Sequence, residues 1–296
     1  MALIEIGRRN YLLYLVLPHR LKMALLSQES RAKLDQINSG HNEHAFSGDR
    51  AEQYDRLRGY EDDAQREYPA RALVAEVWGA PGRGADGDDY GRALELGAGS
   101  GYFTALIASR ARSVIAIEPV ADLQKVARER CAAARLDNVE VVGGTAFDLG
   151  ARVPSGSIDS AFIIQSLHHF HRRPEVFAEL GRVVRPGGRL YLVEPHHNLR
   201  RVGRLARKYH RTYRVGEFRN DARNWATHDF LTRGELFALC RHGGFGGVRL
   251  ESYWIPYSRR LIPSPEHRFR VERVLGRIPL IRHIGAVLAL TARRNA

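Results

Sequence analysis

Between residues 92 and 195 the chain alternates between two kinds of apolar pattern. Ala93–Leu96, Ser113–Ile117, Val139–Val142, Ile158–Ile164 and Arg189–Val193 are short apolar runs, as in strands buried on both faces. Between them, Tyr102–Arg110, Val120–Ala134 and Pro174–Val184 repeat apolar residues at helical spacing. Pro-Gly-Gly at 186–188 reads as a helix stop followed by a turn. Strand alternating with helix predicts an α/β fold with a parallel, doubly wound sheet. The C-terminal region completes it, with a helix over Thr232–His242 and a strand over Val248–Trp254. Thr232 is placed to cap that helix, with Glu235 completing a capping box.

The flanks break the alternation. The N-terminal part is largely helical: Arg50–Gly79 reads as helix, and Asn38–Asp49 carries loop chemistry. Residues 80–91 are a Gly/Asp loop. After Pro195, residues Leu199, Val202, Leu205, Ala206, Tyr209 and Tyr213 fall at helical spacing with Arg and Lys between them, a basic amphipathic insert. Val271–Leu290 is apolar but interrupted by Arg277, Pro279, Arg282 and His283, so it is not expected to span a bilayer. The resulting map is an N-terminal helical lid region (1–80), a nucleotide-binding core (81–195), a basic helical cap insert (196–230) and a C-terminal completion of the sheet with an apolar tail (231–296).

Charge adds one feature to this map. Residues 1–195 hold 25 Lys and Arg against 26 Asp and Glu, whereas 196–296 hold 21 against 7. The basic excess is confined to the last third. It reads either as a composition bias, because Arg far outnumbers Lys, or as a surface for an anionic partner. Two distant cysteines, Cys131 and Cys240, give neither a disulfide framework nor zinc spacing. The apolar run Tyr11–Leu17 is too short to span a membrane and lacks a cleavage site after it. A cytoplasmic location is expected, with peripheral contact at the inner membrane face through residues 199–214 as an option.

The chemistry concentrates in Ala93–Thr104, ALELGAGSGYFT. A strand ends at Leu96, glycines make the turn, and a helix starts near Tyr102, the arrangement that binds ligands in open α/β sheets. The spacing is Gly97-x-Gly99-x-Gly101, with Tyr102 at the sixth place, where a dinucleotide loop needs Gly or Ala. A phosphate-binding Walker loop is excluded because no Lys-Ser/Thr follows. Glu118 ends the second strand about twenty residues on, where a carboxylate can hold both ribose hydroxyls.

With these residues on the page, the segment order resembles the class I S-adenosylmethionine-dependent methyltransferases, in particular the ubiquinone/menaquinone biosynthesis group. ELGAGSG at 95–101, AIEP at 116–119, GTAFDL at 144–149, SIDSAFIIQSLHHF at 157–170 and ELGRVVRPGGRLYLVEP at 179–195 carry the likeness. The resemblance implies a Rossmann-like doubly wound sheet of seven mostly parallel strands, with N-terminal helices and a helical cap insert after the fifth strand, and S-adenosyl-L-methionine as cofactor. Gly97, Ala98, Gly99 and Gly101, with Glu95 nearby, would form the loop against its methionine part. Glu118 and Pro119 would meet the ribose. Thr145 stands where the family usually has the Asp that meets the adenine amino group, and Ala146 would offer its N–H to the ring. Gln165 would line the methionine end, and Tyr54, in AEQYDRL, would belong to a closing helix.

An oxygen or activated-carbon acceptor benefits from a general base, and histidine suits neutral pH. The candidates are His169, His168 and His196. His169 matches a family histidine that is often structural. A metal site from His168, His169 and His171 lacks a carboxylate partner. His41 and His44 are candidates for entering from the lid or for a solvated loop. The Asn/Asp-Pro-Pro-Tyr/Phe segment of amino-methyltransferases acting on nucleic-acid bases is absent; the place reads IIQSLHHF. The preferred function is methylation of carbon or oxygen on a small hydrophobic or amphiphilic acceptor. The alternatives are an RNA or protein methyltransferase docking through the basic C-terminal third, and a non-catalytic binder of the cofactor. Nucleic acid is the less expected partner, since no aromatic-rich basic platform is evident.

Overall fold

The computed structural model describes residues 17–25, 34–58, 60, 90–150, 152–203 and 231–296, with the isolated positions 28, 32 and 207. At the N-terminal side are helices α1 (His19–Leu25), α2 (Leu34–Phe46), α3 (Asp49–Glu52) and α4 (Tyr54–Arg58). The central alternation follows as β1 (Arg92–Leu96), α5 (Tyr102–Ala108), β2 (Ser113–Glu118), α6 (Ala121–Ala133), β3 (Val139–Gly143), β4 (Ile158–Ile164), α7 (Arg173–Val183) and β5 (Val184–Pro195). The chain ends with α8 (Arg233–His242), β6 (Phe245–Tyr253), α9 (Ser258–Leu261), α10 (Pro265–Leu275) and β7 (Val287–Arg294).

The strands form one seven-stranded sheet in the order β3-β2-β1-β4-β5-β7-β6. β1 to β5 pair in parallel, and β7 runs antiparallel to both β5 and β6. Side chains alternate between faces, so Leu94, Leu96, Ile115, Ile117 and Ile163 join one core cluster and Ala93, Val114, Phe162 and Ile164 the other. Fully burying each such large side chain contributes about 1.5–3 kcal/mol. Strand order reverses between β1 and β4. The loops leaving the carboxyl ends of those two strands therefore flank the crevice where such sheets take ligands.

Several sequence expectations are corrected. Asn38 to Phe46 is helix, part of α2, and not loop; only Ser47 and Gly48 turn before α3. The single helix expected from Arg50 starts as two short ones, broken at Gln53, and positions 61–79 lie outside the described residues. Pro186-Gly187-Gly188 does not stop α7, which ends at Val183. It is an irregular stretch inside β5, where the pairing with β4 shifts between Ile158–Val184 and Ser160–Arg189. Thr232 accepts the Glu235 N–H at 3.2 Å, but the Glu235 side chain pairs with fully buried Arg173, so only half of the capping box forms. The apolar stretch Val271–Leu290 splits between the end of α10 and β7, where Leu288 and Leu290 are core. In the insert, residues 199–203 are helical and Leu199 is 90 % exposed, so it does not face the core; positions 208–230 lie outside the described residues. Among the described residues no helix is long and apolar enough to cross a membrane.

Candidate cofactor and catalytic site

The glycine loop is stitched to the sheet by its own backbone. Gly97 and Ala98 donate to the Ile117 carbonyl at 2.8 and 3.1 Å. Gly97 has φ 76°, and a Cβ there would sit 2.5 Å from the Ser166 Cβ. Only glycine allows both the left-handed turn and the approach of the loop after β4. Ser166 completes the junction by donating its hydroxyl to the Leu96 carbonyl at 2.6 Å. Gly101, at φ 75°, starts α5 with a virtual Cβ only 3.0 Å from Ala127 of α6, so its role here is packing.

Three buried carboxylates sit at strand ends around this loop. Glu118 accepts N–H bonds from Gly99 at 2.8 Å and Val120 at 3.0 Å. Burial pushes its carboxyl up to about 7 against those two bonds. Glu95 lies beneath the loop and accepts the Thr104 hydroxyl; burial pushes it up to about 8. Glu194, at the end of β5, accepts the Ser166 and Leu167 N–H groups on Oε1 at 2.7 and 2.6 Å, and meets His168 Nδ1 through Oε2 at 2.8 Å. Burial pushes it, too, up to about 8.

A cavity of about 310 Å3 opens beside the loop, at the small end of ligand pockets. Its sheet side is formed by Gly97, Ile117, Pro119, Val120, Gly144, Thr145, Ala146 and Phe147. Its other wall is α2, which presents Asp35, Asn38, Ser39, Asn42 and Glu43. These recur at i, i+3, i+4, i+7 and i+8, one helical face made wholly of polar residues. The helix is clasped by Asp35 to His171, and Arg172 stands 3.4 Å from the same carboxylate while lying over the Phe147 ring at 4.4 Å. Three polar atoms of residues in this lining are buried without a hydrogen-bond partner among the described residues, Asn38 Oδ1, His171 Nδ1 and Arg172 Nε. A polar ligand is what such a wall fits; an adenosine moiety offers matching donors and acceptors.

Tyr54, Gln165, His168, His169 and His196 do not line this cavity. The Tyr54 hydroxyl covers Gly99, 3.4 Å from where a Cβ would be. Its neighbour Asp55 anchors α4 to the loop through the Ser100 hydroxyl and Arg130. Gln165 follows β4 with φ 54°, a left-handed conformation rare outside glycine and typical of functional turns. His168 is buried, and His169 lies beside it with ring centroids 4.2 Å apart and its edge toward Phe46. His196 sits elsewhere, 3.0 Å from the Gly285 carbonyl at the β5–β7 corner, and burial pushes it down to about 4. His168 and His171 pair with different carboxylates, Glu194 and Asp35, rather than converging. The side chains of His41 and His44 lie outside the described residues. Sequence reasoning missed Glu194 and the inward face of α2; the i, i+3, i+4, i+7 recurrence of polar residues from Asp35 was the available signal.

Residues 94–192 match the family model described as a methyltransferase domain. An uncharacterized methyltransferase of Mycobacterium tuberculosis is 33 % identical over 102 residues, 34 % of this chain and 39 % of that protein. The chain thus spans about two fifths of the length of that curated relative. Among solved structures, the YcgJ protein of Bacillus subtilis superposes with TM-score 0.53 at 16 % identity, covering 77 % of this chain and 99 % of that one. Geranyl diphosphate C-methyltransferase of Streptomyces coelicolor A3(2), solved with S-adenosyl-L-homocysteine, gives TM-score 0.51 at 14 % identity, covering 77 % and 79 %. These structural likenesses show the fold, and none of the matches singles out the ubiquinone/menaquinone group. The chain thus carries a methyltransferase domain over residues 94–192, about a third of its length.

Proposed function

We propose that the protein transfers the methyl group of S-adenosyl-L-methionine to carbon or oxygen of a small hydrophobic or amphiphilic acceptor. The observation that carries this reading is the Gly97–Gly101 loop facing buried Glu118 beside a cavity walled by the polar face of α2. Gly97, Ala98 and Gly99 would receive the methionine part, Glu118 and Pro119 the ribose, and Thr145 and Ala146 the adenine. Tyr54 and Gln165 would close the methionine end. The cofactor supplies an electrophilic methyl on a sulfonium, which needs only an aligned acceptor in a dry site.

The chain's own contribution to the chemistry is alignment, exclusion of water and removal of a proton. His168 suits the base role best among the three candidates, because a base oriented by a third group is the recurring arrangement in proton-transfer sites. Its Nδ1, 2.8 Å from Glu194 Oε2, holds the ring, and with Glu194 ionised Nδ1–H donates and the lone pair is on Nε2. His169, half-buried beside it, would border the acceptor. His196, tied to Gly285, serves the β5–β7 corner better than the acceptor. The geranyl diphosphate C-methyltransferase that shares this fold was solved with geranyl diphosphate, an apolar chain on a charged head, which supports an amphiphilic acceptor. The test is conversion of S-adenosyl-L-methionine to S-adenosyl-L-homocysteine with fractionated small-molecule extracts. Product formed with lipophilic fractions is expected. Turnover only with RNA or protein fractions would replace the acceptor class, and binding without turnover in any fraction would replace the enzyme reading.

A further inference from the structure

The connection from β6 to β7, residues 254–286, is built inside out. α10 turns Arg268, Phe269 and Glu272 inward, and all three are buried. Phe269 stacks on Tyr253 of β6 with ring centroids 5.1 Å apart. The Glu272 carboxylate accepts the Trp254 and Ile255 N–H groups at 2.9 and 3.1 Å, and the Ser258 hydroxyl. The outer face of the same helix carries Val271 and Val274, both exposed. Tyr257, Leu261, Val274 and Leu280 are between 65 and 84 % exposed. Apolar residues of a helix normally face a core, and exposed ones grouped in one short segment mark an interaction surface. Tyr257 is presented from a left-handed residue, φ 66°, with Trp254 at φ 57° three residues before it. Such backbone persists only where the surroundings enforce it, and here buried Glu272 ties the turn down.

Charge narrows the choice of partner. The segment holds seven Arg against two Glu, and one of those acids is the buried Glu272. Arg259, Arg260 and Arg270 are exposed and flank Leu261 and Val271 in sequence. Two copies of the chain meeting here would oppose arginine to arginine, with Glu266 the one exposed acid of the segment. Apart from Tyr257 the most exposed apolar side chains are aliphatic, so the surface lacks the stacking rings of a nucleic-acid platform. Aliphatic side chains interleaved with arginine fit an anionic bilayer, where the first enter the acyl boundary and the second meet lipid headgroups. Val287 pairs with both Pro195 and Tyr253, so the segment sits at the carboxyl edge of β5, the edge that carries Glu194 and the glycine loop.

We propose that residues 254–286 form a docking surface for an anionic membrane, outside the 199–214 insert. This goes beyond the methyl-transfer reading. Docking would turn the site's edge of the sheet toward the bilayer, where a lipophilic acceptor resides.

Sedimentation of the full chain with phosphatidylcholine vesicles, with and without an equal share of phosphatidylglycerol, tests this. Binding to the anionic vesicles is expected to exceed binding to the neutral ones about tenfold or more, and to weaken with salt. Leu261→Ser combined with Leu280→Ser is expected to lower it about tenfold. Arg260→Glu combined with Arg270→Glu is expected to lower it by a similar factor. Both variants should keep the Tm and the S-adenosyl-L-homocysteine affinity of the unaltered protein, since all four side chains are exposed. No preference for anionic vesicles would overturn the inference. So would binding that both variants retain, which would move the contact to other basic residues. A loss in the arginine variant alone would overturn it in favour of charge attraction without insertion. A dimer of the unaltered chain that the leucine variant dissolves would assign the surface to a second copy instead. These readouts need no methyl acceptor, so they stand or fall separately from the methyl-transfer reading.

Discussion

Replacing Glu118 by glutamine should improve the protein's relative stability as pH rises and weaken its binding of the cofactor at the same time. The carboxyl is 5 % exposed, and burial raises its pKa from 4.5 to about 7 despite the Gly99 and Val120 N–H bonds. An acid whose folded pKa lies above its unfolded value binds an extra proton in the folded state between the two. Stability therefore falls as pH rises from about 4.5 through about 7, and above that the full penalty applies. At about 1.4 kcal/mol per pKa unit, that shift corresponds to about 3 kcal/mol at pH 8. Gly99 and Val120 donate to different oxygens, so glutamine keeps an acceptor for only one of them, at a cost of about 1–3 kcal/mol at every pH, but carries no charge to desolvate. Between pH 5 and pH 8 the balance should therefore move in the variant's favour by about 2 kcal/mol, or roughly 4–8 °C in Tm. Binding should move the other way. A charged acceptor for two ribose hydroxyls contributes about 1.5–3 kcal/mol per bond, and an amide oxygen replaces it poorly. Affinity for S-adenosyl-L-homocysteine should fall about a hundredfold. Thermal melts at pH 5 and 8 and calorimetry at pH 8 read both effects. A variant equally destabilised at both pH values, with unchanged affinity, would refute the reasoning about this carboxylate.

Other residues give sharper separations of binding from turnover and from folding. Glu194→Gln should leave S-adenosyl-L-homocysteine affinity within about threefold and lower kcat by a factor of about 100 or more, with an altered pH profile, if His168 is the base it orients; an unaltered pH profile would assign the pair a structural role. Gly101→Ala should lower stability by about 1–3 kcal/mol, since the new methyl meets Ala127 at 3.0 Å in a left-handed backbone, while the folded protein still binds cofactor. Denaturant melts and calorimetry together distinguish this from a direct cofactor contact. Glu235→Ala should cost about 3 kcal/mol, because it removes the carboxylate paired with the fully buried Arg173 guanidinium, whereas Thr232→Ala should cost about 1 kcal/mol as a lost cap. Equal effects of the two would contradict the buried-pair argument.

The central domain was legible because every signal there has one cause. Continuous apolar runs such as Val114–Ile117 and Ala161–Ile164 can only be strands buried on both faces, and each lies within a residue or two of its expected place. The glycines and Glu118 were legible because a close backbone approach leaves few residue choices. α2 was not legible because helix periodicity is normally read from apolar residues facing a core. Its inward face is Asp35, Asn38, Ser39, Asn42 and Glu43, which turns toward a cavity, so its composition imitates a loop. Pro186-Gly187-Gly188 misled for the opposite reason: turn residues mark a break in pairing, which a long bulged strand accommodates as well as a helix end does. Glu194 looked like any strand-end acid. Its importance depends on Ser166, Leu167 and His168 arriving from β4, a contact 26 to 28 residues away in sequence.

Taken together, Glu95, Glu118 and Glu194 say more than each does alone. All three lie at or near the carboxyl ends of the parallel strands β1, β2 and β5, all are buried, and burial raises all three to about 7 or 8. Each therefore subtracts from stability above neutral pH, by the same sign argument as for Glu118. A sheet selected for stability alone would place apolar or amide side chains there. Glu95 and Glu118 face one another closely enough for the charge of one to raise the other, which compounds the penalty. Perturbed carboxyls gathered along one edge of a sheet are what a functional site looks like physically. The edge they mark is the same one that the reversal of strand order selects on topological grounds alone. Their partners divide the work: Glu118 holds backbone N–H groups of the glycine loop, while Glu194 holds the loop after β4 and its histidine. The electrostatic strain thus runs from the proposed ribose contact to the proposed base, and the reacting methyl would have to lie between them.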